Sequence, residues 1–172
     1  MPDLVLHLDG FSIPAHCFGV RARPSLSGKS RDAYVAAVRG AAAAAIAAPI
    51  TTADVEIEVF CSSQVPEAMV DVDNAAKPTL DALKGIAYVD DRQVCGLHVV
   101  RLDRTQEIAV TGRAAWIGFL SSTEAPHCVW INVYSPSRLK ELGGFDAVRR
   151  SLGTGWHGIS GRLSAIALRR PD

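Results

Sequence analysis

Residues 71–94, DVDNAAKPTLDALKGIAYVDDRQV, restrict what this chain can become more than any other stretch. Five of its 18 acidic residues, Asp71, Asp73, Asp81, Asp90 and Asp91, fall here, interleaved with apolar residues. A solvated acidic run would lack that apolar frame. Carboxylates gathered around a packed frame repel one another unless a cation or a proton resolves the conflict. Oxygen-only donors suit hard divalent ions, above all Mg²⁺, which takes one or two carboxylates and completes its shell with water and substrate phosphate. The composition of this stretch therefore points to phosphoryl-ester hydrolysis.

Local patterning sharpens the expectation. Val55, Ile57 and Val59 alternate with Glu56, Glu58 and Phe60, the period of a strand. From Met69 to Asp73 the alternation returns, with Val70 and Val72 to one side and Asp71 and Asp73 to the other. Two aspartates at i and i+2 of an extended chain share a side, so they can touch one metal ion or two neighbouring ones. Asp73 and Asn74 are good helix caps, and Pro78 is best tolerated near a helix start, so regular helix is expected from about Ala75. Leu80 and Leu83 mark its buried side, Lys77, Asp81 and Lys84 share the other, and Gly85 ends it. Ile86 to Val89 then reads as a short strand delivering Asp90 and Asp91. The same spacing also fits plainer roles: Asp73 as a cap, Asp81 paired with Lys77 or Lys84, and Asp90-Asp91 as a turn.

The string D-x-D-N-x-x-K-P-x-x-D-A-L-x-G, four apolar-rich positions, then D-D-x-Q-V resembles the signature of the RusA family of Holliday junction resolvases. Asp71, Asp73, Asn74, Lys77, Asp81, Leu83, Gly85, Asp90, Asp91, Gln93 and Val94 all fall in register. The likeness is dense over 71–94 and extends in pattern over roughly 50–110. It implies a small α/β (α+β) fold, a mixed sheet with helices packed on it. It also implies a homodimer that binds four-way DNA junctions and cuts two opposed strands with Mg²⁺ or Mn²⁺. Carried over by position, Asp71, Asp73 and Asp91 would hold the metal ion, and Lys77 would join them in catalysis. Asn74 would orient water or contact DNA.

The remaining sequence fits one domain, with a core over about 1–111 and an additional C-terminal segment over about 112–172. A chain of 172 residues with 48% hydrophobic content can bury a sizeable core. Leu4 to Leu8 reads as a first strand, Gly10 to Arg31 as a loop, Asp32 to about Ala48 as a helix, and Thr52 to Cys61 as a second strand. Leu97–Asp103 and Glu107–Thr111 read as a hairpin, and 113–120 and 127–134 as two more strands. A helix opens at Ser135-Pro136, a second short helix spans Phe145 to Leu152, and a last strand covers Leu163 to Leu168. The glycine-rich G-T-G-W-H-G-I-S-G lacks the Lys-Ser/Thr of a phosphate-binding loop and reads as a turn.

Charge is balanced, with 18 Lys+Arg against 18 Asp+Glu, but it is unevenly distributed. Loop 10–31 carries Arg21, Arg23, Lys29 and Arg31 with no acid, so these four are the expected DNA-backbone contacts. No apolar run is long enough to span a membrane, and no leader pattern is evident. Four isolated cysteines without C-x-x-C spacing argue against zinc and fit a reducing cytoplasm. Three functions remain open: a Mg²⁺-dependent junction resolvase, a relaxed flap or branched-DNA nuclease, and a catalytically silent DNA-structure binder.

Overall fold

The computed structural model describes residues 4–7, 14–105, 108–111, 119–120, 124–135 and 167–168. Its centre is strand β3 (Val55–Ser63), whose alternation divides the molecule into two faces. Val55, Ile57, Val59 and Cys61 point into the main core, while Phe60 packs in a second cluster with Leu102, Leu120 and Cys128. Strand β4 (Val94–Asp103) runs parallel to β3, and β6 (His127–Tyr134) runs antiparallel on its other side. Outside β6 lies β2 (His16–Val20), and outside β4 the two-residue β7 (Ala167–Leu168), giving the order β2-β6-β3-β4-β7. Strands β1 (Leu4–His7) and β5 (Ile108–Thr111) pair with each other in parallel as a separate two-stranded sheet.

Two helices contribute to the core on the Val55/Ile57/Val59 face. Helix α1 (Gly28–Ala45) buries Tyr34, Val38 and Ala42, a stripe at i, i+4 and i+8. Helix α2 (Val72–Leu83) buries Ala75, Pro78, Thr79, Ala82 and Leu83. Three polar links lock the pair. The Tyr34 hydroxyl meets Thr79 Oγ1 at 2.7 Å, Arg31 reaches Asp81 at 2.8 Å, and Arg39 Nη1 donates to the Ala82 carbonyl at 3.3 Å. The alternating strands and the two helices are thus an α+β fold, a mixed sheet with helices packed on it.

Several local expectations are corrected. Helix α2 begins at Val72 rather than near Ala75, so Pro78 sits inside it. The missing proline N–H removes one helical bond to Asn74, and tertiary burial against α1 offsets that loss. Residues 69–71 are not a strand: Val70 and Val72 turn onto the core as the chain enters α2. Residues 86–89 are a turn, not a strand. Gly85 takes φ +80°, Gly85 N–H donates to the Tyr88 carbonyl at 2.7 Å, and the buried Tyr88 donates its hydroxyl to Leu80 O. The stretch expected to be a loop over 10–31 contains β2. Gly19 there lets the Phe119 ring lie against the strand; a Cβ would fall 2.6 Å from the ring.

The hairpin expected from β4 and β5 does not form, because β5 pairs with β1 instead. The division near residue 111 also cuts across the sheet, since β6 lies beyond it yet runs between β2 and β3. The expected helices after Ser135, the glycine-rich stretch and most of 113–120 lie outside the described residues. Among the described residues no helix is long and apolar enough to cross a membrane.

Candidate active site

The N-terminus of α2 presents the first two aspartates. Asp71 is the N-cap residue, with extended φ −67° and ψ 155°, but its carboxylate makes no capping bond. It is exposed and lies 3.4 Å from Arg101 Nη1. Asp73 is the second helical residue, exposed, and its Oδ1 accepts the Asn74 N–H at 2.9 Å. Both charges sit at the positive end of the helix dipole, which favours them there. Asn74 is half-buried in the same turn. Lys77, one turn on from Asp73, is exposed with its ammonium 3.6 Å from Asp81.

Arg101 reaches this end of α2 because of strand alternation. Leu97, Val99 and Arg101 share the helix-facing side of β4, the first two in the core and the third at its margin. The sequence offered this signal, an arginine continuing an apolar alternation, although Arg101 was not expected in the site.

Asp91 lies at the opposite end of α2. Its Oδ2 accepts from Lys84 Nζ at 2.8 Å, and Lys84 is the C-cap of the helix. That bond, first of all, holds the Lys84 ammonium above its ordinary pKa; burial opposes it, and the charges of Asp91, Asp90 and Asp81 add to it. At about 1.5 Å per residue, the step from Asp71 to Lys84 is roughly 20 Å. The strand tells the same story. Asp91 opens the turn just before Val94, whereas Arg101, which touches Asp71, is about 20 Å further along β4 at about 3.3 Å per residue. Asp71 and Asp73 therefore do not meet Asp91 within one protomer. Among the described residues, no three carboxylate, histidine or cysteine side chains converge to hold a metal ion.

The Asp90-Asp91 turn is fixed by its own chemistry. Asp90 caps the short 3₁₀ turn Asp91–Gln93, accepting from Arg92 N–H, in a reciprocal box with Gln93. Gln93 Oε1 accepts the N–H groups of Val89 and Asp90, and Gln93 Nε2 donates to the carbonyls of Ile50 and Ala53. One side chain thus ties the turn to the segment leading into β3.

The four expected DNA contacts divide. Arg21 pairs with Glu124 and lies over the Phe119 ring. Arg31 is half-buried in its bridge to Asp81 and belongs to the helix pair. Lys29, in the first turn of α1, and Arg23, just past β2, are exposed. Arg23 lines a recess beside Asp71 together with Ser63, Met69, Val70, Arg101 and His127.

By donor type, Asp71 and Asp73 fit a hard divalent cation: two exposed carboxylates, two residues apart, at a helix N-terminus. Asp91 of the same protomer does not complete that set. A family model described as endodeoxyribonuclease RusA matches residues 22–111, which include both aspartates, Lys77 and Asp91. No curated protein matches the chain.

Proposed function

This chain belongs to the RusA endodeoxyribonuclease family, and from that membership we propose that it resolves four-way Holliday junctions by paired, Mg²⁺-dependent phosphodiester hydrolysis as a homodimer. The observation that carries the reading is the pair of exposed carboxylates at the start of α2, with a lysine one turn behind them. Asp71 and Asp73 would hold Mg²⁺ or Mn²⁺, which supplies Lewis-acid polarisation of the scissile phosphate. Lys77 offers its ammonium to charge developing on that phosphate. The N-terminal N–H groups of α2 favour an anion at the same place, and Asn74 orients water or a strand oxygen there.

The distance between Asp71 and Asp91 supports a dimer as the working unit. A two-fold axis across the middle of α2 reverses the helix, so its N-terminus comes beside the partner's C-terminus. Asp91 of the partner subunit then completes the carboxylate set, and the assembly carries two equivalent sites. Two sites related by symmetry suit a substrate that needs two opposed cuts.

The test is cleavage of a labelled four-way junction with Mg²⁺, beside linear duplex and flap, for wild type and Asp73→Asn. Symmetric nicks on the junction alone, absent from the variant although it still binds, are expected. Equal cleavage by both proteins would remove the assigned site. Cutting of every branched form would make the enzyme a relaxed nuclease, and binding without cutting would make it a silent junction binder.

A further inference from the structure

We propose that the recess beside Asp71 is a seat for a DNA backbone phosphate, held by Arg23, Arg101 and His127. This rests on the endonuclease reading and adds a second anion-binding position to it. The recess is lined by Arg23, Ser63, Arg101 and His127 against a wall that includes Met69 and Val70, and none of its lining residues is acidic. Sheet register builds one side: Ser63 of β3 stands opposite His127 of β6, with Ser63 Oγ 3.1 Å from His127 Nδ1. Strand alternation brings Arg101 from β4. Arg23 follows the end of β2 and comes near enough to His127 to help hold the imidazole below its ordinary pKa, after burial and together with Arg104.

Arg23 and Arg101 both border this one small recess, so an anion at its mouth would be drawn by both guanidinium charges. Their forked donors match phosphate oxygens. Among the described residues no carboxylate pairs with Arg23, whereas Arg21 and Arg31 are both engaged. Arg101 is mostly covered, 23% exposed, yet among the described residues its acidic contact is the 76%-exposed Asp71 at 3.4 Å. So loose a pair is weak in water and readily exchanged. Arg101 therefore stands between the carboxylates and the recess. A strand whose scissile phosphate meets Asp71 and Asp73 would lay a neighbouring phosphate in the seat.

The experiment uses Asp73→Asn protein and a fluorescent four-way junction, with affinity measured over a range of KCl concentrations. Adding Arg23→Gln, an exposed change that leaves the core intact, is expected to weaken binding roughly tenfold. It should also shorten the slope of log affinity against log salt by about 0.9. Arg101→Gln should do the same and Arg101→Lys should recover part of the loss. A single methylphosphonate beside the scissile position should weaken binding by the parent and leave the Arg23→Gln protein indifferent. An unchanged slope, together with undiminished sensitivity to that methylphosphonate, would overturn the seat. Failure of the parent itself to bind branched DNA would remove the endonuclease reading, and the seat with it, before any arginine is changed.

Discussion

Complementation between two inactive proteins gives the sharpest test of the separated aspartates. Asp73→Asn and Asp91→Asn should each abolish cleavage alone, since in the proposed dimer each would remove a carboxylate from both sites. Asp71 and Asp91 lie at opposite ends of α2, roughly 20 Å apart at about 1.5 Å per residue, so in the proposed dimer each site would draw on two protomers. In a mixed dimer one site carries both substitutions and the other carries neither. Subunit exchange at equal concentrations gives about half mixed dimers, so about one quarter of all sites are intact. Nicking should return to about that fraction of wild type, a level set by counting. Because each mixed dimer cuts once, the products should be singly nicked junctions rather than resolved duplexes. A nicking assay on a supercoil-extruded cruciform separates the two products on one gel. No recovery in the mixture, with exchange verified by tagged subunits, would refute the composite site. It would require Asp91 to act within its own protomer or not at all.

Two further outcomes follow from the packing. Gln93→Ala removes four hydrogen bonds, to Val89, Asp90, Ile50 and Ala53, and should cost about 2 kcal/mol in urea unfolding and lower cleavage as Asp91 loosens. Gln93→Glu keeps the acceptor half and should fall between; a variant as stable and active as wild type would remove this clamp. Tyr34→Phe leaves the buried Thr79 oxygen, which itself donates to Ala75 O, without its partner. It should lower stability by about 1–2 kcal/mol without changing junction affinity, and an unmoved urea midpoint would count against the helix lock.

Sequence patterning was most informative where burial follows a short period. The alternation at Val55, Ile57 and Val59 is the core face of the central strand, and Gly85 ends α2 in a left-handed conformation. Pattern failed where distant partners decide. Pro78 argued for a later helix start, but it is buried inside α2, whose next residue, Thr79, is tied to Tyr34 of α1. Strand β2, H-C-F-G-V, is poor in strand formers; only the burial of Phe18 and Val20 betrays it. Proximity suggested a hairpin for β5, whereas its partner lies near the chain's beginning. The motif places Asp91 with Asp71 and Asp73, and it carries no sign that a twelve-residue helix separates them within one protomer.

The position of β6 has a consequence during synthesis. Helix α2, with Asp71, Asp73 and Lys77, leaves the ribosome well before residues 127–134, which fill the gap between β2 and β3. Until then both strands present unpaired edges, open to association with other nascent chains. The sheet that carries the site is therefore completed late in translation, and a chain broken ahead of residue 127 would keep those two edges open.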